Sequence, residues 1–451
     1  MRLEGRKVIV VGLGLSGRAA ARFCLDQGSH VLGVDQRAEL TGLDELLTRP
    51  HFETRLGDDA VDATDDTLVV LSPGVDSKRA DIAIARNQGA EVIGEVELAL
   101  RHLPSERPFI GVTGTNGKST TVSLIGQLIR QLDERVFVGG NFGRPLIEAV
   151  HSDDHFLVVE LSSYQLETAP SLQPSVGIIL NITPDHLARH GDIDSYAQIK
   201  ARVLSQVPAQ GLAIFDVDDP RCVEIARRVS ARQAAFGESI PSGMIFGAQM
   251  REGQLELMVD GNAETYSLDG YSLLGTHNRR NLMAALLTCR FLGFPQARLQ
   301  DAVSTLQSLP HRLEQVPTND GRRWINDSKS TNIAATRVSL AAVEPPVVLL
   351  LGGQGKGESY RPFAQELGAG KRLRAVITFG EEAPSIEAAF QDTPVPVSRV
   401  GDLLGAVERA GTVAQRGDAI MLSPACASFD SFDNFAHRGQ AFRSMVEEAW
   451  A

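Results

Sequence analysis

The chain has 451 residues, 43% hydrophobic and 22% charged, which supplies enough apolar material for roughly two to four separately cored domains and excludes wholesale disorder. Its 56 acidic residues against 44 basic ones give a formal charge of -12, a field that repels nucleic acid and anionic membranes and leaves anionic small molecules dependent on local basic sites. Cys24, Cys222, Cys289 and Cys426 lack the spacing of a zinc site or a disulfide framework, the first residues carry no signal-peptide pattern, and no apolar run is long enough to span a bilayer; the expected setting is a reducing cytoplasm. No heptad pattern announces an interface, so a monomer is expected.

The first element is an apolar run from Lys7 to Val11, followed by Gly12-Leu13-Gly14-Leu15-Ser16-Gly17 and a helix-compatible stretch. A second strand, Val31 to Val34, delivers Asp35. Glycines that admit close backbone approach, a helix N-terminus and an acid on the next strand form the context of a dinucleotide fingerprint. Taken alone, this loop reads as a dehydrogenase; another nucleotide, such as a uridine diphosphate group, could use the same amides.

Two prolines interrupt the periodicity at Leu103-Pro104-Ser105-Glu106-Arg107-Pro108, and a fresh strand follows from Phe109 to Thr113. It runs into Gly114-Thr115-Asn116-Gly117-Lys118-Ser119-Thr120, a P-loop in which Lys118 reaches phosphates and Ser119 ligates magnesium. Val112 stands where the usual spacing has glycine, so Gly114 and Gly117 must supply the backbone freedom. The strand Leu157 to Glu160 ends in an acid placed to face that magnesium, and Val176 to Leu180 leads to Asn181-Ile182-Thr183-Pro184-Asp185-His186. His186 falls at a strand end, where open α/β sheets place ligands. Asn278 to Leu292 reads as an amphipathic helix, and a third strand-glycine pair, Val347 to Leu351 before Gly352-Gly353-Gln354-Gly355-Lys356, follows a second break at Leu309-Pro310.

The pattern predicts an α/β protein of three domains with parallel sheets: an N-terminal Rossmann-like domain (1–104), a central P-loop-type ATPase sheet (105–308) and a C-terminal Rossmann-like α/β domain (309–451).

With these motifs in order, TGTNGKST from Thr113, GNFGRP from Gly140, ELSSYQLE from Glu160, NITPDHLARHG from Asn181, GTHNRRN from Gly275, LPHRLE from Leu309, NDSKSTN from Asn326, GGQGKG from Gly352 and SPACASFDSFDNF from Ser423, the chain resembles the Mur ligase family. The C-terminal motifs look like those of the members that use D-glutamate. The resemblance implies an ATP-dependent ligase that activates the carboxylate of UDP-N-acetylmuramoyl-L-alanine as an acyl phosphate and joins D-glutamate to it, with Mg2+, two ions, as cofactor.

It also implies roles. Lys118, Glu160, His186 and Lys200 would be catalytic; Ser119, Glu160, His186 and a carbamylated Lys200 would hold the metal. The P-loop, Asn278, Asn281, Arg312 and Asp327 would bind ATP. Leu15, Ser16, Asp35, Gln36, Arg37 and Gly74, with Asn141, Ser162 and Gln165 of the central domain, would bind the UDP-substrate. Lys329, Thr331, Lys356, Ser428 and Phe435 would bind D-glutamate. On the residues alone, Lys200 reads as an exposed helical lysine and Arg37 as a surface arginine. The dehydrogenase, a partner-remodelling P-loop ATPase and a folate-linked glutamate ligase are the rival readings.

Overall fold

A computed structural model describes residues 1–132 and 135–450. Three sheets organise it. The first contains β1 (Lys7–Val11), β2 (His30–Asp35), β3 (Phe52–Leu56), β4 (Thr67–Leu71) and β5 (Glu91–Gly94) in the order β3-β2-β1-β4-β5, every pair parallel. The strand order reverses at β1, and that reversal opens a crevice above its carboxyl end, where the Gly12 loop sits.

The second sheet contains β6 (Phe109–Thr113), β7 (Val136–Gly140), β8 (Phe156–Glu160), β9 (Val176–Ile179), β10 (Leu212–Asp216), β11 (Arg232–Gly237), β12 (Gly247–Arg251), β13 (Gln254–Val259) and β14 (Asn262–Tyr266). Its order is β14-β13-β12-β11-β10-β9-β6-β8-β7. From β7 to β12 the pairs are parallel, as the sequence predicts, but β12, β13 and β14 form an antiparallel meander. The cause is local. Glu252-Gly253 and Asp260-Gly261 make two-residue turns with positive φ at both positions (52° and 82°; 49° and 80°), the geometry whose twist matches a hairpin.

The third sheet contains β15 (Glu314–Val316), β16 (Arg323–Asn326), β17 (Val347–Gly352), β18 (Leu373–Phe379), β19 (Val397–Arg399) and β20 (Ala419–Leu422), ordered β15-β16-β20-β17-β18-β19. Only β15 runs antiparallel to its neighbour. β17 and β20 are buried on both faces, which is why they read as continuous apolar runs rather than alternating ones.

The described chain forms two compact units. One is Met1–Gly270 with Arg280–Thr305 and holds the first two sheets; the other is Tyr271–Arg279 with the chain from Leu306 onward and holds the third. Tyr271–Arg279 joins the third sheet's unit through short-range bonds: Ser272 Oγ donates to the Leu306 carbonyl at 3.1 Å and Gln315 Nε2 to the Ser272 carbonyl at 3.3 Å. In the first unit, the two sheets share one apolar cluster that runs from Val8, Val10 and Phe23 to Phe137, Leu157 and Leu166.

Two acids are buried beside that shared core. Glu97 accepts from the backbone N–H (2.9 Å) and hydroxyl (2.6 Å) of Ser171 and from Arg101, so it is well satisfied. Glu95 has one oxygen bonded to the Ile147 N–H at 2.7 Å and the other without a partner, and burial pushes its carboxyl up to about 7. Among the described residues no helix is long and apolar enough to cross a membrane.

Candidate active site

Asp35, the last residue of β2, closes the first glycine loop, which follows β1. Its buried carboxylate accepts from the Leu13 N–H at 2.7 Å, and Arg37 grips it with Nε at 2.9 Å and Nη2 at 2.8 Å. The Arg37 hydrogen bonds hold the Asp35 carboxyl far below the usual carboxylate range. The resemblance gives Asp35 to the UDP-substrate; here both of its oxygens already shape the loop. Leu15, 57% exposed at the start of the helix Leu15–Asp26, presents an apolar surface at that helix's N-terminus. Gln36 and Gly74 are exposed, and Ser16 is half-buried.

The P-loop leaves β6, which lies between β8 and β9 in the second sheet, and opens the helix Lys118–Arg130. Gly114 (φ 149°) and Gly117 (φ 87°) carry the unusual backbone angles, while Val112 is wholly buried in β6. The flexibility that a stricter motif would place at position 112 thus lies within the turn itself. Asn181, beyond β9, braces the loop: its carbonyl accepts from Thr115 N–H at 2.9 Å and its side-chain oxygen from Asn116 N–H at 2.8 Å. Asn281 accepts from the Thr121 hydroxyl at 3.2 Å. The first-turn amides of the helix point to where a phosphate would sit.

Two lysines converge on the same loop carbonyl. Lys118 Nζ donates to Gly114 O at 2.9 Å and Thr115 O at 2.8 Å; Lys200 Nζ donates to Gly114 O at 2.9 Å and the Thr113 hydroxyl at 3.3 Å. Contrary to the exposed helical lysine that its sequence context suggests, Lys200 is 1% exposed, lying over the Tyr196 ring at 4.5 Å. Burial first, and then the Lys118 charge, bring its ammonium down to about 7, so the free amine is accessible at neutral pH.

Glu160, last in β8 and 3% exposed, accepts from Asn141 Nδ2 at 2.9 Å through one oxygen; the other oxygen has no hydrogen-bond partner. A buried carboxylate oxygen left unmatched is costly unless something completes it. No group of three or more His, Cys, Asp or Glu among the described residues could hold a metal unaided. Glu160 with the Ser119 hydroxyl does suit Mg2+, which takes one or two protein oxygens and fills the rest of its shell from phosphates and water. Ser162 and Gln165 cap the helix Ser163–Glu167 reciprocally, and Gln165 keeps its Nε2 without a partner.

His186 is exposed, 3.5 Å from Asp185, with a positive φ of 52° that a non-glycine residue seldom adopts. Its loop is anchored by a residue outside the sequence reading's site. Glu167 accepts from Arg189 at 2.9 Å and from Ser77 Oγ at 3.2 Å, and Arg189 also reaches Asp76 at 3.0 Å. This ties the 72–79 segment, which carries Gly74, to the segment carrying His186. Ser163, His190 and Glu167 lie in file at 3.0 Å and 3.3 Å, but Ser163 is 3% exposed and burial lowers the imidazole's basicity, so they act as packing rather than a nucleophile.

In the other unit, three motifs far apart in sequence leave the carboxyl ends of adjacent strands: Asp327–Asn332 after β16, Ser423–Phe435 after β20, and Gly353–Gly357 after β17. Lys329 Nζ lies over the Phe435 ring at 5.2 Å, and Lys356 Nζ donates to Thr331 Oγ1 at 3.3 Å. Ser428 is buried. Asp327 is buried too, accepting from Ser423 Oγ at 2.7 Å and Leu313 N–H at 3.2 Å, with its pKa raised by burial; it braces the loops rather than facing solvent. Asn278 donates to the Leu274 carbonyl at 2.7 Å, and Arg312 sits in a turn whose N–H reaches Leu309 O at 3.2 Å.

The chain matches the MurD-like N-terminal domain of Mur ligases over residues 6–94, the Mur ligase middle domain over 112–289 and the Mur ligase glutamate ligase domain over 311–426. It is 43% identical to the UDP-N-acetylmuramoylalanine–D-glutamate ligase of Anaeromyxobacter dehalogenans, covering 99% of this chain and 98% of that protein. It is 41% identical to that of Myxococcus xanthus, covering 99% of each. Among solved structures, the MurF ligase of Thermotoga maritima in complex with ADP superposes with a TM-score of 0.59 at 19% identity, over 99% of this chain and 95% of that one; at that identity the likeness speaks for the fold alone. Three family domains in order and whole-length likeness to D-glutamate ligases place this chain in the Mur ligase family, on the branch of the UDP-N-acetylmuramoylalanine–D-glutamate ligases.

Proposed function

We propose that the protein joins D-glutamate to UDP-N-acetylmuramoyl-L-alanine at the expense of ATP, a step in building peptidoglycan precursors. The observation that carries this reading is the 43% identity over 99% of the chain to a relative named for that reaction. Amide formation from a carboxylate is uphill in water, so the carboxylate must first gain a leaving group, which phosphoryl transfer from ATP supplies as an acyl phosphate.

The P-loop residues Gly114 to Thr120 would cradle the triphosphate, with Lys118 swinging from its own loop carbonyls to the phosphates and Asn281 bracing the helix behind it. Asn278, Arg312 and Asp327 complete the ATP set by family likeness, Asp327 through its loop. Ser119 and Glu160 would hold Mg2+, with His186 and a carbamylated Lys200 serving a second ion. Mg2+ would supply charge neutralisation at the phosphates. A lysine amine free near pH 7 is the form that combines with carbon dioxide, which supports Lys200 in this role.

Leu15, Ser16, Asp35, Gln36, Arg37 and Gly74 would take the uridine nucleotide, with Asn141, Ser162 and Gln165 reaching its sugar and diphosphate. Lys329, Thr331, Lys356, Ser428 and Phe435 would take D-glutamate, and its amine would attack the acyl phosphate to give a tetrahedral intermediate whose oxyanion the surrounding cations stabilise. The protein would work in the cytoplasm as a monomer, without nucleic-acid or membrane partners.

The test is phosphate release with UDP-N-acetylmuramoyl-L-alanine, ATP and a panel of D- and L-amino acids. Turnover with D-glutamate is expected. Turnover only with another amino acid, with folate and L-glutamate, or with no acceptor at all would overturn the reading; NAD-linked hydride transfer would return the Gly12 loop to a dehydrogenase.

A further inference from the structure

The helix Phe435–Trp450 sends Arg438 into the interior of the third sheet's unit, where it is 0% exposed. A guanidinium has five N–H bonds, and all five are used. Nε donates to Ser328 Oγ at 3.0 Å; Nη1 to the carbonyls of Ala427 (3.1 Å) and Gly352 (3.4 Å); Nη2 to the carbonyls of Ser328 (2.9 Å) and Cys426 (3.1 Å). Among the described residues no carboxylate makes an ion pair with it, and Asp430 acts on it only through a longer-range attraction. Burial lowers its pKa only to about 10, so the group stays charged at neutral pH.

These acceptors belong to the three segments that carry the proposed amino-acid site. Ser328 precedes Lys329, Ala427 precedes Ser428, and Gly352 begins the segment that leads to Lys356. The fit is tight. A Cβ on Gly353 (φ 126°) would lie 2.2 Å from the Ala427 carbonyl oxygen and 2.9 Å from Arg438 Nη1, so only glycine lets that segment close on the guanidinium. Gln354 and Ala427 also exchange two backbone hydrogen bonds at 2.9 Å, fixing the second and third segments against each other.

We propose that Arg438 is a positioning residue for the amino-acid substrate: its buried guanidinium fixes the Ser328, Gly352 and Ala427 segments in one register, and its unpaired charge favours a dicarboxylate there. This rests on the D-glutamate reading above. A neutral or ammonium side chain cannot replace it. Lysine keeps the charge but offers three donors from one atom, whereas the planar fork reaches acceptors on three loops at once. Ser328 strengthens the link, since its hydroxyl accepts from Arg438 and donates to the Phe435 carbonyl at 2.8 Å, beside the ring under Lys329.

The experiment compares the full chain with Arg438→Lys and Ser328→Ala. KM is measured separately for D-glutamate, ATP and the UDP-substrate, and acyl-phosphate formation is followed without amino acid. Arg438→Lys should raise the D-glutamate KM at least about tenfold, and Ser328→Ala about threefold, with the other two KM values and acyl-phosphate formation within about twofold of the parent. An unchanged D-glutamate KM, or all three KM values rising together, would overturn the proposal. If Arg438→Lys does not fold, Ser328→Ala decides on the same readouts. A parent protein that does not use D-glutamate would instead overturn the function.

Discussion

Lys200 and Arg438 are both buried cations beside loops that leave the carboxyl ends of parallel strands, yet their surroundings are opposite. Around Lys200, bonding is incomplete: Glu160 and Gln165 each keep a buried polar atom without a partner, and the lysine's own proton is weakly held. Around Arg438, every guanidinium N–H is spent on protein oxygen. The central loops keep buried polar atoms unmatched; the C-terminal loops are a frame already tied. Lysine serves the first because it can lose its charge, arginine the second because it does not.

Lys118→Ala gives the largest expected effect and sharpens the first half of that contrast: ligation should fall at least about a thousandfold while UDP-substrate binding, measured calorimetrically, is retained. Loss of that binding would mean that the loop is structural. Lys200→Arg keeps a cation but removes the accessible amine, so kcat should drop by about a hundredfold; parent-like turnover would erase the distinction between the two cations.

Glu160 and Glu95 then separate an orphaned oxygen at a site from one in a core. Glu160→Gln should lower kcat by about tenfold to a hundredfold and shift the Mg2+ requirement upward, read by titrating Mg2+. Glu95→Gln should leave kcat unchanged and stabilise the fold. The Glu95 pKa is raised from 4.5 to about 7 on folding, so the folded state holds the extra proton between those values and stability is lost as pH rises through that window. The glutamine variant should gain about 3 kcal/mol at pH 8 and nearly nothing at pH 4.5, as read from urea midpoints; an equal gain at both would assign the effect to packing.

The sequence discloses most of the frame because glycine loops after apolar strands are local signals. β1, β6 and the Lys118 loop lie where their composition predicts, and all three domains are α/β. The antiparallel edge is legible too, since Asp260-Gly261 between short alternating segments is a hairpin signal. Lys200 was not legible as buried, because its helix carries Asp194, Gln198 and Arg202 as well, and only packing beneath the P-loop decides which polar side chain turns inward. Glu167 and Arg438 escape for the same reason. Their farthest partners, Ser77 and Ser328, lie 90 and 110 residues away, so no local pattern distinguishes them from solvated charges.

The helix Phe435–Trp450 follows all three of the loops it gathers. The three loops and β16, β17 and β20 therefore all precede in the chain the guanidinium that joins those loops, and the strands hold the pairing residues of the sheet without it. Fold comes before selectivity in this unit. A chain cut ahead of Arg438 would carry a complete P-loop and every strand of the third sheet, yet lack the brace on which recognition of its amino acid depends.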